Sequence, residues 1–159
     1  MEIRQATEKD FDEIWKIFQA VIAKGDTYVN AKITKAEAHE KWMNKSAKTF
    51  VATISSKIVG AYLVKPNQID RGSHIANASY IVDENHRGAG IGKALALDSI
   101  STAKKLGYHA IQFNFVVSTN EAAVKLWQKV GFKIIGTSPK AFNHKDLGYV
   151  DSYIMFREL

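Results

Sequence analysis

The sequence predicts an α/β domain built around one mixed sheet, and three observations predict it. Apolar residues recur with helical spacing in some segments and with strand-like alternation in others. These segments interleave in the order strand, two helices, three strands, helix, strand, helix, two strands. In the middle of the chain a glycine-rich turn within Val82 to Leu95 joins an apolar run to a helical one. The 159 residues suit a single domain, 1–159, with a proper core.

Each element has a local reason. Ile3 to Ala6 is a short strand. Thr7 and Asp10 form a capping box, after which Phe11, Ile14, Trp15, Phe18, Val21 and Ile22 share one helical face up to Gly25. A loop over Asp26 to Asn30 precedes a second helix, Thr34 to Asn44. Thr49 to Ile54 and Ile58 to Val64 read as a hairpin around Ser55-Ser56-Lys57. Pro66 to Gly72 is polar and irregular, and His74 to Val82 is the strand that feeds the turn.

From Ile91 a helix places Leu95, Ala96, Ile100, Ala103 and Leu106 on one arc, with Asp98 and Lys105 opposite. Gly107 stops it. Ala110 to Val117 alternates like a strand. Asn120 caps a last helix with Ala122, Ala123, Leu126, Trp127 and Val130 on its apolar face, and Gly131 ends it. Phe132 to Gly136 is a strand, Ser138 to Gly148 a loop and Tyr149 to Phe156 a closing strand. That C-terminal strand is expected at an exposed edge, where it could pair with a second subunit as a homodimer.

Composition narrows the function. The chain has no cysteine, which excludes disulfides, thiolate metal sites and a cysteine nucleophile, and fits a reducing, cytoplasmic location. No window approaches the ~18 consecutive apolar residues of a membrane span, and the first residues lack the apolar core of a signal peptide. The net charge is +6, which favours anionic partners, but without a basic block the argument for nucleic acid is weak. No histidine and acid spacing makes a metal site.

The turn carries the chemistry. Gly88, Gly90 and Gly92 alternate, so no Cβ blocks a close approach to the backbone N–H groups of Gly88, Ala89, Gly90, Ile91, Gly92 and Lys93. The helix starting there adds unpaired N–H groups and its positive dipole end. This is an anion cradle suited to a pyrophosphate, with Arg87 and Lys93 at its rim. The spacing lacks both the dinucleotide G-x-G-x-x-G fingerprint and the G-K-[ST] ending of the triphosphatase loop.

Arg87-x-x-Gly90-x-Gly92, followed by Asn120-x-x-Ala123-x-x-Leu126-Trp127-x-x-Val130-Gly131-Phe132, resembles the acetyl-CoA-binding core of the GCN5-related N-acetyltransferases. The element order matches over nearly the whole chain. The resemblance implies the acyl-CoA N-acyltransferase fold, a mixed, mostly antiparallel sheet of about seven strands flanked by four helices. It implies an N-acetyltransferase that uses acetyl-CoA as acyl donor, without a metal, on a small-molecule amine. The cradle from Arg87 to Lys93 would hold the CoA pyrophosphate. The backbone of Val82 would face the thioester and stabilise the oxyanion. Asn120 would lie beside the CoA arm, although it equally fits a plain N-cap.

The sequence departs from the family where a tyrosine commonly protonates the departing thiolate. Trp127 stands there, and an indole N–H is no usable acid, so Trp127 is packing, CoA contact or pocket wall. The slot of a common glutamate base is Ala78; its neighbour Asn77 could position an amine or a water. Asn77 and Ser79 share a strand face that points either to solvent or into the cleft.

The run His74 to Tyr80, with Asn120 and Gly148 to Asp151, is similar to the branch that acetylates small amino acids and proline analogues. There, asparagines at the positions of Asn77 and Asn120 hold the substrate amine. His86 would help hold phosphate, His144 could overhang the acceptor as a base, and Asp151 is either a partner for an ammonium or solvated. The acceptor pocket is expected from Asp26 to Asn30, Pro66 to Gly72 and Ser138 to Gly148. A protein or ribosomal N-acetyltransferase and a non-catalytic acyl-CoA sensor remain the alternatives.

Overall fold

The computed structural model describes all residues from Met1 to Leu159. The chain runs β1 (Glu2–Gln5), α1 (Phe11–Ala23), α2 (Lys35–Met43), β2 (Lys48–Ile54), β3 (Lys57–Pro66), β4 (Ile75–Val82), α3 (Ile91–Lys105), β5 (Ala110–Val117), α4 (Glu121–Lys129), β6 (Lys133–His144) and β7 (Gly148–Glu158). The seven strands form one sheet in the order β1-β2-β3-β4-β5-β7-β6. Every neighbouring pair is antiparallel except β4 and β5, which are parallel.

Local chemistry sets the helix starts. Thr7 and Asp10 form the expected box ahead of α1, with the Asp10 carboxylate accepting from the Thr7 N–H at 2.7 Å. Arg4 grips the same carboxylate at 2.9 and 2.7 Å, tying β1 to the entry of α1 and holding Asp10 well below the usual carboxylate range. Thr34 and Glu37 make a second box at α2.

The sheet is buried on both faces. On one, α1 and α2 pack Phe11, Ile14, Phe18 and Trp42 against Val51, Leu63 and Ile81. On the other, Leu95, Ala96 and Trp127 of α3 and α4 pack against Tyr62, Phe113 and Met155. A β-bulge opposite Ala52/Thr53 puts Gly60 under α3. A Cβ at Gly60 would lie 2.9 Å from the Ile81 carbonyl oxygen and 3.2 Å from Ile91. Only glycine therefore lets the first turn of α3 sit this close to the sheet.

Several expectations are corrected. The segment from Ser138 to Gly148 is largely strand: β6 runs on to His144 through two register shifts and turns directly into β7. These shifts absorb the polar residues that disguise the strand. The C-terminal strand β7 is enclosed between β5 and β6, so the edges are β1 and β6. Asp98 is half-buried, because Tyr62 reaches across the core to donate to it at 2.5 Å. Leu106 lies past the last turn of α3 and is 46% exposed.

Candidate active site

The centre of the molecule is a gap inside the sheet. β4 and β5 pair only at Ile75↔Ala110 and Ala76↔Ile111. Beyond that, β5 carries an extra residue between Phe113 and Val116 relative to β7. Such a bulge bends its strand, and here β5 leaves β4 to open a V. Between the arms lies a cleft of about 360 Å³.

The register gives β4 a bare edge. Asp83 N–H donates to Val59 at 2.9 Å and Asn67 N–H to Ile75 at 2.8 Å. In an antiparallel ladder hydrogen-bonded positions recur every second residue, so residues 75, 77, 79, 81 and 83 face β3. Ala78, Tyr80 and Val82 turn their N–H and C=O groups toward the gap.

The glycine turn closes the wide end. Gly88 and Gly90 have φ of 81° and 77°, the latter as N-cap of α3. With this backbone, the N–H groups of Gly88, Gly90, Ile91, Gly92 and Lys93 have no backbone acceptor. Ala89 differs: its N–H turns back to the His86 carbonyl at 3.4 Å, so it shapes the cradle without facing outward. Arg87 lines the cleft at this end and makes no ion pair. His86, expected at the phosphate, is held by Asp83 at 3.0 Å.

Asn77, Val82, Asn120 and Trp127 all line the cleft. Asn120 is also the N-cap of α4, accepting from Ala123 N–H at 3.4 Å, so its two expected roles coexist. Trp127 is both wall and packing: its ring lies 4.7 Å from Tyr80, 4.8 Å from Phe113 and 5.9 Å from Phe132. Asn77 and Ser79 face the cleft rather than open solvent.

Three features have no counterpart in the sequence reading. Tyr28 donates its hydroxyl to the Tyr80 carbonyl at 2.8 Å, from the loop between α1 and α2 to the bare edge of β4. Burial pushes this phenol well above its usual range, so it stays protonated and acts as a donor. Asn67 accepts from Asn77 Nδ2 at 3.1 Å and from Asn114 Nδ2 at 2.7 Å. This amide bridge spans β4 and β5 where they diverge, and it leaves the Asn77 carbonyl oxygen and one of its two N–H groups unpaired. Lys41 of α2 also lines the cleft. It follows Ala38 by three positions and adjoins Trp42, both fully buried, and a lysine on the buried side of a helix was the available signal.

Other expectations fail. Of the three acceptor segments, Thr27, Tyr28 and Val29 line the cleft, but no residue of Pro66 to Gly72 or Ser138 to Gly148 does. The tip of the β6–β7 hairpin lies instead on the end of α1, with Lys145 N–H on the Gly25 carbonyl at 3.0 Å. His144 Nδ1 accepts from Asp146 and Leu147 N–H at 3.1 and 3.2 Å, which makes it a turn cap. Asp151 does not line the cleft: partly exposed, it accepts from Lys140 N–H at 2.9 Å and pins the bulged part of β6.

Comparison with known proteins agrees with this geometry. The profile of the acetyltransferase (GNAT) family matches residues 11–132. N-acetyltransferase aca1 of Schizosaccharomyces pombe is 32% identical, over 84% of this chain and 72% of its own. L-amino acid N-acetyltransferase AaaT of Escherichia coli is 29% identical, over 98% and 96%. Among solved structures, a GCN5-related N-acetyltransferase from Kribbella flavida superposes with a TM-score of 0.96 at 40% identity, over 99% of this chain and 97% of the other.

Proposed function

Because the chain belongs to the acetyltransferase (GNAT) family, we propose that it is an acetyl-CoA-dependent N-acetyltransferase acting on the amine of a small amino acid or amino-acid analogue. One observation carries this reading. The cradle of unpaired N–H groups at Gly88, Gly90, Ile91, Gly92 and Lys93 follows the bare edge of β4 after one short turn, 83–87. A single ligand with a pyrophosphate at one end and an extended, amide-bearing arm at the other fits these two neighbouring sets of main-chain groups.

Acetyl-CoA supplies the thioester. The five N–H groups and the dipole of α3 bind the pyrophosphate, with Arg87 adding charge at the rim. The free main-chain groups of Ala78 and the free N–H of Tyr80 align the arm as an added strand would. Val82 N–H stands on the same edge and stabilises the negative charge that develops on the carbonyl oxygen. Asn120 and Trp127 bound the arm from α4.

The acceptor enters by the wall formed by Tyr28, Asn77 and Ser79. The Asn77 carbonyl oxygen accepts from the amine and aims its lone pair at the acyl carbon, so positioning supplies much of the rate. The C–N bond forms as the C–S bond breaks, the amine proton passes to water, and CoA leaves as the thiolate. No acyl-enzyme is needed, in keeping with a chain without cysteine. The similarity to an L-amino acid N-acetyltransferase supports a small acceptor. A cysteine-free chain also suits the reducing cytosol.

The test is calorimetric titration of acetyl-CoA into the wild type and Gly90→Asp, with an acceptor screen that follows CoA release. The variant is expected to bind at least ~100-fold more weakly with an unchanged circular dichroism spectrum. Normal binding by that variant would overturn the cradle assignment. Tight binding by the wild type without CoA release on any amine would make the domain an acyl-CoA sensor. A strong preference for N-terminal peptides would move the acceptor to a protein.

A further inference from the structure

We infer that Lys41 is the anchor for the acceptor's carboxylate, so that the enzyme selects amines bearing an anionic group close to the nitrogen. The inference deepens the proposed function and rests on it.

Lys41 reaches the cleft from α2, with its ammonium 5.5 Å from the Phe18 ring centroid and 5.2 Å from that of Tyr28. It makes no ion pair. An ammonium is costly to bury without an anion, and two ring faces compensate for it only in part. Burial, reinforced by the nearby charge of Lys65, lowers its affinity for a proton. Lys65 is paired across the sheet with Asn77. One cation is therefore paired across the sheet with the residue proposed to receive the amine, and a second lines the same cleft.

The rest of the lining points the same way. Among the residues that line the cleft, Lys41 and Arg87 are the charged ones, and there is no aspartate or glutamate. Arg87 lies at the cradle, toward the pyrophosphate, which leaves Lys41 as the charge at the acceptor wall. A polyamine or lysine side chain would bring a second cation to a wall that offers no counter-charge. An α-amino acid brings the complement, with its amine on the Asn77 oxygen and its carboxylate toward Lys41, and binding an anion removes the cost of the unpaired ammonium. Tyr28, whose ring supports the Lys41 ammonium and whose hydroxyl bonds β4, ties this anchor to the strand that faces the thioester.

The experiment compares kcat/KM for small L-amino acids with that for their primary amides, in the wild type, Lys41→Met and Lys41→Arg. The wild type is expected to favour the acid over the amide, measured on the unprotonated amine in each case. Lys41→Met is expected to reduce that ratio roughly 10- to 100-fold, the range of a charge-assisted hydrogen bond, mainly through KM, and Lys41→Arg to restore most of it. A wild type indifferent to the carboxylate, or a ratio unchanged in Lys41→Met, would overturn the anchor while leaving the acetyltransferase intact. An enzyme that binds acetyl-CoA yet acetylates no amine would overturn the proposed function itself. If Lys41→Met does not fold, Lys41→Gln gives the same comparison.

Discussion

The hydroxyl of Tyr28 donates to the main-chain carbonyl of Tyr80 at 2.8 Å, 52 residues away in the chain. The contact fixes the loop after α1 against the bare edge of β4. Tyr28→Phe keeps the ring beside Phe18 and Lys41 and removes only this bond. We expect kcat/KM for the acceptor to fall roughly 3- to 10-fold, the worth of one neutral hydrogen bond. Acetyl-CoA affinity should stay within about twofold by the same scale. Steady-state kinetics with calorimetry checks both, and an equal loss in the two would show that Tyr28 serves the donor instead.

Asn67 holds Asn77 and Asn114 together where the strands diverge. Asn67→Ala removes the acceptor for both amides and frees Asn77 to rotate. Asn67→Ala and Asn77→Ala should each lower kcat/KM by about 10-fold, with the double variant little worse than either, because residues acting as one unit are not additive. A double-mutant cycle measures this; fully additive losses would separate the two roles.

Trp127 stands where the resemblance places the family's tyrosine acid, but its ring is packed against Tyr80 and Phe113. Trp127→Tyr should cost about 1 kcal/mol from lost packing, a Tm lower by roughly 2–4 °C. It should not raise kcat more than about twofold, since a good thiolate leaving group needs little help. A tenfold gain in kcat would mean that proton delivery limits turnover.

Asp10, gripped by Arg4 and the Thr7 N–H, is held below its ordinary value of 3.8. A depressed carboxylate contributes stability that is complete above the unfolded value and is lost as pH falls through the folded value. Asp10→Asn should therefore destabilise the fold at pH 7 by about 1–3 kcal/mol of lost charge-assisted bonding and so lower Tm. The difference from wild type should narrow below about pH 4. Thermal melts from pH 7 to pH 3 check the sign, and a gap that widens in acid would be inconsistent with the pairing.

Local and periodic features were readable from the chain. The capping box at Thr7, the glycines that start α3 and the apolar spacing of α1 act within a few residues of themselves. On the acceptor side Asn77 and the Asp26 to Asn30 loop were readable, but the contacts that join them were not, because these act across the sheet. Tyr28 looks like an ordinary loop residue, and Asn67 and Asn114 look like surface polars until the strands converge on them. The long β6 was hidden because its bulges break the two-residue alternation by which a strand is recognised.

The sequence by itself determined the cradle proposed for the donor: a strand, a turn with glycines at 88, 90 and 92, and a helix whose first N–H groups are free. Backbone conformation within one short segment builds that cradle, so its chemistry is written in consecutive residues. Only the tertiary structure decided how the proposed acceptor side is assembled. The bulge in β5 opens the V, Lys41, Tyr28 and Asn77 line it from separate elements, and Asn67 bridges Asn77 to Asn114. No spacing along the chain encodes that meeting, because the distances that create it are set by sheet register and helix packing.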